Sequence, residues 1–179
     1  GLVGSEMCIR DRGYQVVLVE KSASIGGMMA QLSKVFPTLD CCSCITTPKM
    51  AAVAHHDNIT MLTYSEVQSV EGSPGNFQVQ VMKKPRYVIE EDCSGCRSCE
   101  MVCPIDLPDY ENEHGYGAHR VIYVPFSTAV PQKALIDIDH CIFCGKCIKA
   151  CTKDAIDFTQ QPQNLEIETK VIVLATGYK

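Results

Sequence analysis

Apolar residues recur along this chain in short runs of strand length, parted by glycine, proline and polar turns. The first, Gly13–Glu20, is a Val-Val-Leu-Val run closed by an acid, the pattern of a buried parallel strand. Ile25-Gly26-Gly27 makes a turn or a close backbone approach, after which Met28–Val35 reads as a short helix ended by Pro37. Thr47-Pro48 has the form of an N-cap and first helical residue, opening a helix through Ala54 or His55. His55 and His56 then sit at its end, where the dipole favours cations. Asn58–Tyr64 and Glu66–Val70 are strand-like, Ser73–Asn76 is a turn, and Phe77–Lys83 alternates as the returning strand of a hairpin. Later, Arg120–Val124 and Asp154–Phe158 read as strands, the second closing a small domain. Leu165–Lys170 alternates, and Val171–Ala175 runs apolar into Thr176-Gly177.

Between these elements the pattern is set by cysteine. Cys93, Cys96, Cys99 and Cys103 form one C-x-x-C-x-x-C-x-x-x-C run, and Cys141, Cys144, Cys147 and Cys151 form a second. This is the spacing of a bacterial-type two-cluster ferredoxin, in which the fourth cysteine of each run ligates the other run's 4Fe–4S cluster. The expected sets are Cys93, Cys96, Cys99 and Cys151 for one cluster, and Cys141, Cys144, Cys147 and Cys103 for its partner. Structural zinc uses separated pairs of ligands, so a third cysteine at this spacing is surplus to a tetrahedral site. Thirty-seven residues separate Cys103 from Cys141, including an acidic Gly/His stretch, Asp109–His119, that reads as a loop and docking surface.

Of the 179 residues 46% are apolar, an ordinary globular share, and the net charge of −5 argues weakly against nucleic acid or anionic membrane as partners. Even Val171–Ala175 falls far short of a bilayer span. The chain has twelve cysteines, but eight obey cluster spacing and cluster assembly needs reduced thiols, so a cytoplasmic location is expected. Asp40-Cys41-Cys42-Ser43-Cys44 places three more in a loop that wraps a metal or simply holds reduced thiols. No Ser/His/Asp or paired-carboxylate constellation points to hydrolysis, and no C-x-x-C outside the cluster sites, the Cys41 loop counted among them, is free to act as a redox dithiol.

Residues 1–12 fit none of this patterning. Back-translated, Leu2–Arg12 matches a transposase sequencing adapter, so this segment is expected to be an artefact, Cys8 no ligand, and the natural protein to extend upstream of Gly13. Glu20 is the candidate acid for the adenosine ribose of a dinucleotide, and the glycine-rich turn that accompanies such an acid would lie about 20 residues earlier.

Several stretches together resemble the A-type flavin subunits of heterodisulfide reductases. They are Glu20-Lys-x-x-x-Ile-Gly-Gly-x-Met-Ala-Gln-Leu, Phe36-Pro-Thr-x-Asp-Cys-x-x-Cys, Pro48-Lys-Met, Pro74-Gly-Asn-Phe77 and Lys84-Pro-Arg-Tyr87. The resemblance runs from Gly13 to Lys179. It implies an α/β FAD-binding fragment of thioredoxin-reductase-like, Rossmann type over residues 13–86, interrupted at 87–159 by an inserted α+β ferredoxin domain with two 4Fe–4S clusters and resumed at 160–179. By the same resemblance FAD would contact Glu20, Lys21, Gly26 and Gly27, with Ala175, Thr176 and Gly177 at a strand end near the cofactor. Cys41 and Cys44 would contribute to a further cluster completed by residues outside this sequence, and Cys42 is an extra of no assigned role. The implied activity is that of an oxidoreductase component of the CoB–CoM heterodisulfide reductase type, in methanogenesis or sulfur metabolism of anaerobes. Its implied partners are B- and C-type subunits, a hydrogenase- or dehydrogenase-type donor, and ferredoxin, with flavin-based bifurcation as the family's chemistry. A flavin/iron–sulfur subunit of a quinone-interacting or glutamate-synthase-like complex, and a cluster-carrying module without flavin, are the alternatives.

Overall fold

The structure is a computed structural model that describes residues 13–110 and 115–177. The adapter-like residues 1–12, Cys8 among them, and Lys179 lie outside the described residues. The chain divides into two compact units, one made of the residues up to Lys84 together with those from Gln161 onward, the other Pro85–Gln160.

The first unit is built on β1 (Val16–Val19), α1 (Met28–Gln31), β2 (Lys34–Val35), β3 (Asp40–Cys41), α2 (Cys42–Ala54) and β4 (Ile59–Leu62). β1 and β4 pair in parallel, Val16 opposite Ile59 and Val19 opposite Leu62, with α2 in the crossover between them. A parallel pair needs such a connection, because a tight turn can only reverse the chain. α1 is shorter than the expected helix: after Gln31 the chain leaves helical geometry at Leu32, and Lys34–Val35 pairs with Asp40–Cys41 as a small hairpin. α2 in turn starts five residues before Thr47. The Cys41 thiol accepts a hydrogen bond from the Cys44 N–H at 3.2 Å and so caps the first turn. Pro48 then lies inside the helix and gives up the N–H that Cys44 would have received. The buried face of α2 is Cys42, Thr46, Met50 and Val53, a period close to 3.6.

β5 (Ser65–Ser73), β6 (Asn76–Lys83) and β11 (Gln163–Thr169) form a three-stranded antiparallel sheet in the order β11-β6-β5. The alternation read in the sequence sets its register. Leu165 and Ile167 lie opposite Val81 and Val79, and on the other side Val67 and Val70 face the same two residues across a bulge. Val79 and Val81 are buried between them. The last residue of β6, Lys83, pairs with Ser65 on one side and Gln163 on the other. Val171–Ala175 forms no strand, and Val171 and Leu174 are exposed. Alternation with polar residues marks a two-sided strand, whereas a bare apolar run requires neighbours on both faces to become one.

Glu66 on β5 bonds the Lys84 ammonium at 2.6 Å, with Lys21 at 3.6 Å. The hydrogen bond from Lys84 is the main cause holding its carboxyl below the usual range. A depressed carboxylate pKa stabilises the fold above its unfolded value, and that contribution is lost as pH falls through the folded one. Between about pH 6 and about pH 3, the melting temperature of the wild-type chain is therefore expected to fall more than that of Glu66→Gln. Parallel acid limbs in the two melting curves would show the pair to be irrelevant.

The second unit holds β7 (Asp106–Pro108), β8 (Ala118–Arg120), β9 (Ile122–Tyr123), β10 (Leu135–Ile136), α3 (Ser98–Val102), α4 (Lys146–Ala150) and a helical turn at Ile138–His140. Arg120–Val124 is not one strand. Its first residue belongs to β8, paired with β7, whereas Ile122–Tyr123 pairs with β10. Asp154–Phe158 closes the unit through a single bridge, Val88 to Ile156, rather than a strand. Val88, Val121, Ile122, Val124, Ala134, Ile136 and Ala155 form the core, and Cys93, Cys103, Cys141, Cys147 and Cys151 pack against it. Arg86 is buried within this unit at 2% exposure, its guanidinium 2.6 Å from the Glu90 carboxylate. No helix among the described residues is long and apolar enough to cross a membrane.

Candidate metal centres

Each cysteine run folds as a ligand loop followed by a five-residue helix. In the first, Cys93-Ser-Gly-Cys96-Arg-Ser-Cys99 turns into α3; in the second, Cys141-Ile-Phe-Cys144-Gly-Lys-Cys147 turns into α4. The two loops share one backbone. Gly95 and Phe143 occupy the same position with φ of 69° and 52°, and two residues on, Arg97 and Gly145 share another with φ of 62° and 70°. Each loop thus has one glycine and one side-chain-bearing residue in left-handed geometry, in exchanged order. A non-glycine residue held there costs about 1–3 kcal/mol, which the surrounding packing must offset. The three cysteines of each loop line a common hollow.

The fourth sulfur of each hollow comes from the other run. Cys93, Cys96, Cys99 and Cys151 line one pocket of about 400 Å3 including its open mouth. Cys141, Cys144, Cys147 and Cys103 line the other, of about 380 Å3. Packing of α3 against α4 brings Cys103 and Cys151, each at the C-terminal end of its helix, to these positions. All eight thiols are free. Among the described residues no three His, Cys, Asp or Glu side chains close on the span of a single ion. Four cysteines line each hollow instead, and four thiolates is the ligand number of a 4Fe–4S cluster. The donor set fits.

The surroundings modulate the thiols. Burial pushes the Cys99 thiol up to about 11 and raises Cys147 as well, so iron must displace their protons on binding. The Ser98 hydroxyl, 3.4 Å from Cys96 Sγ, is the main cause holding that thiol low. Backbone N–H groups of Ala155 and Phe143 donate to Cys151 and Cys141 Sγ, both at 3.4 Å.

In the first unit, Cys41 and Cys44 are exposed at the start of α2, while Cys42 is buried at 0%. Cys42 is therefore a small core residue, and only its two neighbours present sulfur to the outside. Hydrogen bonding from Cys44, chiefly through its side chain, lowers the Cys41 thiol and raises its own.

Glu20 follows β1. Its backbone N–H bonds Leu62 and its Oε1 accepts from both the N–H and the hydroxyl of Ser22, at 2.9 and 2.8 Å. Lys21 is exposed beside Glu66. Gly26 and Gly27, with φ of 125° and 53°, lead into α1 against Met50. Ala175, Thr176 and Gly177 lie in irregular chain. Two residues at the centres carried no signal in the sequence. They are Lys133, whose Nζ bonds the Cys93 carbonyl, and Ile105, whose carbonyl faces Cys103.

Residues 92–156 match the family described as a 4Fe-4S dicluster domain. Over nearly the whole chain there is similarity to curated relatives. The iron–sulfur A-subunit of CoB–CoM heterodisulfide reductase from Methanocaldococcus jannaschii is 52% identical, over 94% of this chain and 25% of that protein. The A-subunit of H2:CoB–CoM heterodisulfide,ferredoxin reductase from Methanothermobacter marburgensis is 50% identical, over 95% and 26%. The A-subunit of ferredoxin:CoB–CoM heterodisulfide reductase from Methanosarcina mazei is 44% identical, over 100% and 23%. The chain spans about a quarter of the length of these relatives. With a dicluster domain whose two hollows each gather four thiols, and identity of this order from one end of the fold to the other, the chain belongs to the A-subunit family of heterodisulfide reductases.

Proposed function

We propose that this chain is an electron-relay portion of a flavin/iron–sulfur subunit in a heterodisulfide reductase-type complex. The observation that carries the reading is the exchange of fourth sulfurs, Cys151 beside the first run and Cys103 beside the second. When bound, each 4Fe–4S cluster stores and releases one electron, and FAD accepts two and gives them up singly. The residues serve that chemistry by holding and shielding. Cys93, Cys96, Cys99 and Cys151 would hold one cluster, and Cys141, Cys144, Cys147 and Cys103 the other. Core residues wall each hollow on one side, Val121, Ile122 and Ile136 the second and Val88, Ala134 and Ala155 the first.

In the first unit, the parallel β1/β4 pair with its α2 crossover supports the reading of a mononucleotide-binding half, in which Glu20, just after β1, would bond the ribose. We assign FAD contacts to Glu20, Lys21, Gly26, Gly27, Ala175, Thr176 and Gly177, and a further cluster to Cys41 and Cys44. The relatives' names attach them to the CoB–CoM heterodisulfide and, for two, to ferredoxin. B- and C-type subunits, a hydrogenase- or dehydrogenase-type donor and ferredoxin are accordingly the proposed partners, in the cytoplasm, with bifurcation as the reaction they share. The reading of a cluster-carrying module without flavin draws on the occupation of Glu20 Oε1 by Ser22.

Anaerobic reconstitution of the full chain, followed by iron, sulfide and flavin assays, separates these. About eight irons with one FAD is the expected result, and about twelve would bring in Cys41 and Cys44. Eight irons without flavin would favour the module, and a chain holding one zinc per run and no sulfide would overturn both.

A further inference from the structure

The two thiol sets share a backbone but differ in what covers them. Over the first ligand loop lies a segment of the insert between the two runs. Lys133 reaches across the fold and its Nζ donates to the Cys93 carbonyl at 2.5 Å. The carbonyl oxygen of Gln132 stands where it would collide with a Cβ on Gly95, so this strap rests directly on the loop and only glycine fits beneath it. At the equivalent place the second loop carries Phe143, whose ring meets Phe158 with centroids 5.4 Å apart. One loop is strapped by a cation, the other is capped by aromatic rings.

The hydrogen bonds to sulfur differ in the same sense. In the first set Cys151 Sγ receives the Ala155 N–H, and the Ser98 hydroxyl stands 3.4 Å from Cys96 Sγ. A metal-bound thiolate can only accept, so that hydroxyl becomes a second donor once iron is present. In the second set Cys141 Sγ receives the Phe143 N–H, while Cys103 Sγ faces the Ile105 carbonyl at 3.9 Å. That carbonyl is an acceptor, and it opposes negative charge on the sulfur. Each hollow also has a lysine in its wall, Lys153 in the first and Lys146 in the second, which balance. The first wall carries Arg97 as well, paired with the Glu100 carboxylate at 3.8 Å, so Lys133 is a further positive charge on that side, with no carboxylate partner among the described residues.

Cluster potential rises with nearby positive charge and with hydrogen bonds to the sulfurs, because both stabilise the added electron. We propose that Lys133 and Ser98 make the site of Cys93, Cys96, Cys99 and Cys151 the higher-potential one of the pair, so that it is reduced first. This rests on both hollows holding 4Fe–4S clusters. The event is the gain of one electron by the oxidised cluster from an external reductant, with no bond made or broken. Lys133 is a positioning and tuning residue, acting through the Cys93 carbonyl rather than by touching iron.

The test is a potentiometric titration of the anaerobically reconstituted full chain with dithionite and mediators, followed by low-temperature EPR. Two midpoints are expected. Lys133→Met should lower the higher one, cutting the reduced-to-oxidised ratio at fixed potential about tenfold, or about 59 mV for one electron, and leave the lower one in place. Lys133→Arg should restore it, and Ser98→Ala, which leaves the strap intact, should move the same midpoint the same way by less. Coincident wild-type midpoints, a shift in the lower one, or no shift would overturn the proposal while leaving the cluster reading untouched. If Lys133→Met fails to retain iron, Ser98→Ala decides by the same criterion. A wild-type chain that binds no cluster overturns the reading and the inference together.

Discussion

Replacing Cys151 with serine is expected to remove the cluster ligated mainly by the first run, although Cys151 belongs to the second. The fourth sulfur of the Cys93, Cys96 and Cys99 hollow comes from Cys151, and a cubane that loses one of four thiolates is readily lost. Iron content should fall from about eight to about four per chain, with one EPR signal surviving. Pairs of substitutions show which cluster is gone. Cys96→Ser with Cys151→Ser should cost no more iron than either alone, because both serve one site. Cys147→Ser with Cys151→Ser should empty both. If the pair within one run, Cys147 and Cys151, behaved as a single site while Cys96 and Cys151 were additive, each run would hold its own cluster and the exchange would be wrong.

The second large effect lies away from iron. Removing the Glu90 carboxylate is expected to destabilise the second unit by about 3 kcal/mol, because the Arg86 guanidinium it meets at 2.6 Å is buried. A charge in that setting has little access to water, so losing the carboxylate beside it is costly. For a unit of this size the loss corresponds to a fall of about 10 °C or more in melting temperature, followed through the cluster absorbance of the reconstituted chain. Replacing both partners, Arg86→Met with Glu90→Leu, should recover much of it, since apolar groups of similar volume carry no desolvation cost. An unchanged melting curve for Glu90→Ala would show that the pair is not what holds this corner of the core.

The sequence was legible where spacing is itself geometry. Two runs at C-x-x-C-x-x-C-x-x-x-C intervals define a loop followed by one helical turn, and the structure places both fourth cysteines across from their own runs. Alternation was equally readable: Phe77–Lys83 and Leu165–Lys170 lie side by side because their apolar positions share one face. The helix start at Cys42 was not, since Thr47-Pro48 is the stronger local signal and the cap that wins is a thiol, an unusual acceptor. Three cysteines in four residues read as a metal loop or as reduced thiols, and the helical turn divides them, sending Cys42 into the core and Cys41 and Cys44 out. Lys133 was invisible for a different reason. Its partner is a backbone carbonyl forty residues away, and no residue pattern encodes such a contact.

One consequence follows from the ladder of β6. Lys83 is hydrogen-bonded into register with Ser65 and Gln163, and everything from residue 84 to residue 162 leaves and returns at that end of the sheet. To the strands, the whole cysteine-bearing unit occupies the place of a hairpin turn, whose ends need only stand one strand spacing, about 4.8 Å, apart. The sheet is thus indifferent to its cargo. The register of β6 and β11 asks nothing of the connection between them beyond where it leaves and where it returns.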